Sequence, residues 1–245
     1  MGGFYNPENK VALITGGTSG IGEACARKLA FQGSQVICAG RNKDKAAWID
    51  KEPRIQYISA DISNPISISC LFDDIEADYE GLHILINAAG INRDGLLLSL
   101  SYEDIKAVID TNLLGTILCT KEAWKRFMKK QREGVVLNIS SIVGNDTGSV
   151  GQGNYAASKA GISGFTIGEV QELAKRRVRI NEIRPGYIVT PMTDKLDDKR
   201  KEAILSRIPL GRFGQPEEVA EMAFSLIMNE YATGSVVRLD GGLTI

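Results

Sequence analysis

Tyr155 and Lys159 stand four residues apart in the stretch NYAASKAGISGF, residues 154–165. At that spacing two side chains lie on one face of an α-helix about one turn apart, so a phenol and an ammonium can converge on one point. A phenol can give up a proton to a carbonyl oxygen that is gaining negative charge, and a neighbouring ammonium favours its phenolate and draws its pKa toward working pH. The pair therefore reads as a general acid with an electrostatic tuner. Ser141, in the turn SSIVG just past an apolar run, has a hydroxyl that can donate to the same oxygen, although a serine there also reads as an ordinary loop residue.

Such residues need a scaffold. Seven short apolar runs recur along the chain: KVALIT (10–15), QVICA (35–39), IQYIS (55–59), HILIN (83–87), VVLNIS (135–140), VRINEI (178–183) and SVVRLD (235–240). Longer segments with helical spacing separate them. Strands that are nearly continuously apolar and alternate with helices predict a parallel sheet covered on both faces, hence a single doubly wound α/β domain of Rossmann type with seven strands. Ser101 with Asp104, and Gln215-Pro216-Glu217-Glu218, mark two helix starts. The stretch from Thr190 to Ser206 is polar at first and helical later, which fits either a solvated surface helix or a lid over the site.

Composition narrows the function classes. With 43% hydrophobic and 24% charged residues over 245 positions, the chain can bury a full core. Its 29 basic and 30 acidic residues leave a net charge of -1, which gives no global case for nucleic acid or a membrane surface. Cys25, Cys38, Cys70 and Cys119 are scattered, and His83 is the single histidine, so neither a disulfide framework nor a metal site is expected. No apolar run approaches the roughly 20 residues of a membrane helix, and MGGFYN has no signal-peptide core. The expectation is a cytoplasmic protein, or one in an organelle matrix.

TGGTSGIG, residues 15–22, follows the first strand and precedes a helical pattern running from Glu23. A strand, a glycine turn and a helix N-terminus can hold a pyrophosphate on backbone N–H groups. The spacing of Gly16, Gly20 and Gly22 matches neither G-x-G-x-x-G nor a P-loop. The second strand ends Ala39-Gly40-Arg41-Asn42 with no acid until Asp44. An acid there would bind the ribose hydroxyls of NAD, whereas Arg41 suits the 2′-phosphate of NADP, or merely caps the strand.

Taken together, Thr15-Gly-x-x-x-Gly20-x-Gly22, Asn87-Ala-Ala-Gly90, Asn112, Ser141, Tyr155-x-x-x-Lys159 and Pro185-Gly186 resemble, in order and over essentially the whole length, the short-chain dehydrogenase/reductase family. GINRDGLLL (90–98), residues 138–161, RPGYIVTPMT (184–193) and IPLGRFGQPEEVA (208–220) look most like its 3-oxoacyl carrier-protein reductases and close carbonyl reductases. The resemblance implies reduction of a 3-oxoacyl thioester, carried by acyl-carrier protein or coenzyme A, in fatty acid synthesis, with NADP(H) favoured and NAD(H) open. The alternatives are a carbonyl reductase or an NAD-dependent alcohol or steroid dehydrogenase.

It also assigns roles residue by residue. Asn112, Ser141, Tyr155 and Lys159 form the catalytic set, with Asn112 holding a water in a proton relay to Lys159, which also binds the nicotinamide ribose. Cofactor contacts fall to Gly16, Thr18, Ser19, Gly20, Ile21, Arg41, Asn42, Asp61 near adenine, Ile62 packed on its ring, Asn87, Ala88 and Gly90. Pro185, Gly186, Ile188 and Thr190 line the nicotinamide. Three positions depart from the family pattern: Ser19 stands where many NADP-dependent members are basic, Ala88 replaces an Asn, and thirteen residues separate Ser141 from Tyr155, one more than is typical. Arg132 and Arg176, in basic clusters, would dock the acidic carrier near the site, and Gly161, Gly164 and Gly168 imply close helix packing and a homotetramer.

Overall fold

The computed structural model describes residues 5–194 and 196–245. Among them, β1 (Val11–Thr15), β2 (Gln35–Gly40), β3 (Ile55–Ser59), β4 (Ile84–Asn87), β5 (Gly134–Ile139), β6 (Val178–Pro185) and β7 (Val236–Leu239) form one sheet in the order β3-β2-β1-β4-β5-β6-β7. Every neighbouring pair is parallel. The connection reverses direction between β1 and β4, so a crevice opens at the carboxyl ends of those strands.

The helices are α1 (Gly20–Phe31), α2 (Pro65–Asp78), α3 (Tyr102–Ile109), α4 (Gly115–Ala123), α5 (Lys129–Gln131), α6 (Gly153–Ala174), α7 (Asp198–Leu205) and α8 (Pro216–Met228). Alternate residues of the central strands feed two separate cores. Ala12 and Ile14 of β1 join Leu29 of α1 and Val219 and Ala223 of α8 on one face. Leu13 joins Phe72 of α2, Cys119 of α4 and Leu173 of α6 on the other. Both faces are therefore dry, which is why the strands read as unbroken apolar runs.

Helix α1 begins at Gly20, three residues before the expected Glu23, because the glycine turn itself winds into the first helical turn. Ser101 Oγ accepts the Asp104 N–H at 3.0 Å, and Glu218 reaches back to the Gln215 N–H at 2.7 Å, so both expected helix starts hold. The rod from α3 to α5 is interrupted by π-helical turns at Asp110–Leu114 and Trp124–Met128. In the 190–206 stretch, Thr193 Oγ1 donates to the Ile188 carbonyl at 2.7 Å, and Asp197 caps α7 by accepting the Arg200 N–H at 2.8 Å. Lys195 of that stretch lies outside the described residues. Among the described residues, no helix is long and apolar enough to cross a membrane.

The glycine turn is sterically closed. Gly16 has φ +69°, and a Cβ there would sit 2.8 Å from Ala89 backbone. A Cβ on Gly22 would lie 2.2 Å from the Gly16 carbonyl oxygen, with nothing flexible to yield. Gly22→Ala is therefore expected to cost about 2–3 kcal/mol in urea unfolding, and a loss below about 0.5 kcal/mol would show that the backbone has room there.

Candidate active site

Ser141 follows β5, Tyr155 and Lys159 occupy the first two turns of α6, and Asn112 lies in the first π turn. All four meet at the carboxyl edge of the sheet. Lys159 is buried at 5% exposure, its Nζ donates to the Ile139 carbonyl at 2.9 Å, and Nζ stands 5.7 Å from the Tyr155 ring centroid. Gly90 keeps the space open: a Cβ there would be 3.5 Å from both Lys159 Nζ and Asn112 Oδ1. Ser141 Oγ accepts the Val143 N–H at 3.1 Å, which orients the hydroxyl and leaves its proton to donate.

The structure gives Asn112 a different primary job from the water-holding expected of it. Its Oδ1 accepts the Ile91 N–H at 2.8 Å, while Nδ2 donates to the Ile91 carbonyl at 3.0 Å and to Ser158 Oγ at 3.0 Å. It latches the loop after β4 to α6, beside Lys159. The π turn supplies the extra residue that rotates this amide inward.

Electrostatics also differ from the expectation. Burial pushes the Tyr155 phenol up to about 12, against the Ser141 hydroxyl, with Asp94 and Tyr187 adding to the rise. Burial brings the Lys159 ammonium down to about 8, partly offset by Glu182. In the chain itself, desolvation outweighs the lowering by the Ser141 hydroxyl, and Lys159 is not among the groups that tune Tyr155. The geometry explains this: the ammonium lies over the ring and spends its described hydrogen bond on Ile139.

At the other end of the crevice, Ser19 precedes α1 without a side-chain cap, so the first-turn amides of that helix, Ile21 and Gly22 among them, are left for an anion. A Cβ on Gly20 would meet the Thr190 methyl at 3.1 Å, so the segment after β6 closes over the glycine turn. Trp48 Nε1 holds the turn from below by donating to the Thr18 carbonyl at 3.1 Å, and the Arg27 guanidinium lies 4.1 Å over the Trp48 ring. Arg41 is 62% exposed beyond β2, with Nη1 4.0 Å from Asp61 Oδ2. Asn42 Oδ1 accepts the Asp44 N–H at 2.8 Å. These features fit a dinucleotide: free helix amides for the pyrophosphate, an available guanidinium at the β2 end, and a crevice at the topological switch.

Other expected contacts divide. Asp61 Oδ1 accepts from the Ser63 N–H at 2.9 Å and the Ser63 hydroxyl at 2.7 Å, so it first serves its own turn. Burial raises the Asp61 pKa, but Ser63 and Arg41 together hold it below the usual value. The Ile62 side chain is buried against Gly115 and belongs to the core, instead of standing free to pack on a ring. Asn87 turns inward as well, its Nδ2 donating to Asn138 Oδ1 at 2.9 Å and Thr120 Oγ1 at 3.1 Å. Ala88 is tied by its N–H to the Thr15 carbonyl at 3.1 Å. Pro185 is buried at the end of β6, a Cβ on Gly186 would sit 2.8 Å from Asp240 Cα, and Ile188 bridges to Gly214, so this wall is fixed by β7 and the loop before α8.

Arg132 and Arg176 do not flank the site of their own chain. Arg132 ends α5 ahead of β5, and Arg176 follows α6 ahead of β6, at the amino edge of the sheet. Tyr155 starts the 22-residue α6, so Arg176 is roughly 30 Å away. Among Gly161, Gly164 and Gly168, a Cβ at Gly161 alone would meet a described neighbour, the Leu113 side chain at 2.7 Å. Residues the sequence reading passed over are Trp48, Asp94, Tyr187 and Glu182. Of these, Glu182 had a signal, a carboxylate inside an apolar strand.

A model of short chain dehydrogenases matches residues 10–201. The chain is 43% identical over 245 residues to a 3-oxoacyl-(acyl-carrier-protein) reductase of Thermotoga maritima, covering 97% of this chain and 99% of that one. It is 42% identical to nodulation protein G of Rhizobium sp., over 99% and 100% of the two chains. It is 41% identical to carbonyl reductase family member 4 of Xenopus laevis, over 97% and 99%. The crystal structure of gox2181 superposes with TM-score 0.91 at 29% identity, covering 97% of this chain and 96% of that one.

The burial of Lys159 makes a stability prediction. Its ammonium releases a proton near pH 8 when folded and at 10.5 when unfolded, so the unfolded chain binds more protons between those values and stability rises with pH across that window. Below pH 8 the charged form costs on the order of 3 kcal/mol, less about 1 for the hydrogen bond to Ile139. Lys159→Met should therefore stabilise the protein at pH 7 by about 2 kcal/mol, with the gain shrinking by pH 10. Urea melts at both pH values check this, and equal differences would refute it.

Proposed function

The chain belongs to the short chain dehydrogenase family, and from that premise we propose that it reduces the ketone of a 3-oxoacyl thioester to the 3-hydroxyacyl form with NADPH. Membership makes it an oxidoreductase acting on C=O and CH–OH groups with a nicotinamide cofactor. The observation that carries the finer reading is the meeting of Ser141, Tyr155 and Lys159 at one end of a crevice whose other end offers uncapped helix amides and Arg41. The free first-turn amides of α1 and Arg41 would hold a reduced nicotinamide dinucleotide, which would supply the hydride.

The chain's own residues do the rest. The Ser141 hydroxyl donates to the ketone oxygen and holds it toward Tyr155. Tyr155 transfers its phenolic proton to that oxygen as charge develops. Lys159, cationic at neutral pH, stabilises the phenolate that is left and binds the cofactor ribose. Asn112 fixes the loop carrying Ile91 against α6 and keeps Lys159 in register.

The rim suits an acyl chain. Gly95 donates its N–H to the Gly151 carbonyl at 2.9 Å and Asn154 Nδ2 to the Arg93 carbonyl at 3.0 Å, which ties the loop after β4 to the start of α6. On this rim Leu96, Leu97, Leu98 and Val150 are exposed. Apolar side chains left bare beside a polar site favour a substrate with a hydrocarbon tail. The segment at 190–206, with no buried residue in α7, would act as the lid.

A second reading keeps the same catalytic group with NADH, or with a ketone that is not a thioester. The 4.0 Å approach of Asp61 to Arg41 favours it, because the guanidinium then shares its charge before any 2′-phosphate arrives. A homotetramer fits the outer face of α6, where Gly164 and Gly168 have no described neighbour and Ile167 is 61% exposed. Assembly would also be the way for Arg132 and Arg176 of one subunit to serve another's site.

The test is the initial rate of NADPH oxidation with acetoacetyl thioester, repeated with NADH. Tyr155→Phe is expected to lower kcat by about 10²–10⁴-fold, and Arg41→Ala to reduce the preference for NADPH by about 10–100-fold. Turnover with NADH alone would establish the second reading, and no turnover of any thioester would sink the first. For docking, reversing Arg132 and Arg176 to Glu should raise KM for a carrier-linked substrate while leaving the free thioester unchanged. Equal KM values in both would remove carrier docking.

A further inference from the structure

Among the described residues only two formally charged residues are buried as a whole, Lys159 and Glu182, and Glu182 is the more completely enclosed. Glu182 lies on β6 opposite Asn138 of β5 and is fully enclosed. Its Oε1 accepts from Ser140 Oγ at 2.6 Å, Ser163 Oγ at 2.6 Å and Arg184 Nε at 2.8 Å. Oε2 is buried with no hydrogen-bond donor among the described residues. A carboxylate sunk in a strand costs several kcal/mol unless its charge is used or fully paired, and here the pairing is one-sided.

Its three donors are placed around the catalytic group. Ser140 stands between Ile139, whose carbonyl receives Lys159 Nζ, and Ser141. Ser163 is one turn beyond Lys159 on α6, and its hydroxyl also lies 3.5 Å from the Lys159 carbonyl. One carboxylate oxygen thus gathers the loop that carries Ser141 and the helix that carries Tyr155. The same charge opposes the effect of burial on Lys159.

We propose that Glu182 is a positioning residue of the reaction: it clamps the Ser141 loop to the Tyr155 helix, and its buried negative charge holds Lys159 in the cationic form. Its kinetic consequences rest on the reductase reading, whereas its effect on Lys159 does not. The surrounding charges are few. Tyr155 faces Lys159 from its own helix, Gly90 and Asn112 approach uncharged, and Asp94 and Tyr187 act on Tyr155. Behind Glu182, Arg184 has a second anion in Asp146 at 3.6 Å, which Arg238 of β7 also approaches at 3.9 Å. Removing the Glu182 charge therefore leaves Arg184 paired.

The experiment titrates Lys159 in protein carrying ¹³Cε-lysine, with the signal assigned by its loss in Lys159→Met. Glu182→Gln is expected to lower the Lys159 midpoint by roughly one to two pH units from its starting value of about 8, and to carry the lysine-dependent limb of the kcat/KM profile with it. Ser163→Ala removes one clamp donor without changing charge and should lower kcat while leaving the midpoint in place. An unshifted midpoint in Glu182→Gln, or an equal shift in Ser163→Ala, overturns the proposal. Should Glu182→Gln not fold, Glu182→Met removes the same charge, leaves Arg184 to Asp146 and is expected to shift the midpoint in the same direction; no shift there also overturns it. If the wild type reduces no thioester, the functional reading fails while the lysine titration still decides the role of Glu182.

Discussion

The site depends on keeping one ammonium charged where water does not reach. Lys159 is buried at the carboxyl edge of the sheet, and burial works against its proton. Much of the local structure can be read as the means of tolerating that cost. The last carbonyl of β5 accepts its hydrogen bond, and Gly90 leaves the room a side chain would fill. A helix defect turns Asn112 inward to pin the loop, and Glu182 supplies the opposing charge. Isolated charges in such a place neutralise themselves; this one is held by several weak constraints acting together.

Behind it runs a polar ladder through an otherwise apolar layer. Thr116 donates to the Asn112 carbonyl at 2.8 Å and Thr120 to the Thr116 carbonyl at 2.8 Å. Asn87 donates to Thr120 and to Asn138, and Asn138 donates to Thr166 of α6 at 2.9 Å. The ladder joins the helix rod, the ends of β4 and β5, and α6. Hydrogen bonds in series at low dielectric resist the small displacements that apolar packing allows, so the residues at the site are referenced to the sheet and not to their loops.

What was legible in the chain was what local pattern controls. The strand runs were visible because both faces of the sheet are buried, and the glycine turn because only glycine fits Gly16 and Gly22. Tyr155 and Lys159 were visible because helical spacing places them together. The inward turn of Asn87 and Ile62, the latch made by Asn112 and the weight of burial on Tyr155 were not, since each depends on residues dozens of positions away. The basic clusters misled for the same reason. Arg132 and Arg176 precede strands, and a residue that precedes a parallel strand stands at the edge opposite the site. Strand direction alone would have shown this.

The raised Tyr155 phenol bears on the direction of the reaction. Oxidation of an alcohol needs Tyr155 as phenolate, a form that burial disfavours in the chain by itself. Reduction needs the protonated phenol, the form that burial favours. The proton is not held too tightly to be useful, because the alkoxide forming on the substrate is a far stronger base than a phenolate, and transfer to it runs downhill. What the reaction leaves behind is a phenolate in a half-buried site, and that is the state Lys159 would stabilise. Burial and the ammonium therefore act at different moments: burial keeps the acid loaded beforehand, and the cation receives the charge afterwards. Burial thus favours the form of Tyr155 that starts a reduction, while one transition state serves both directions.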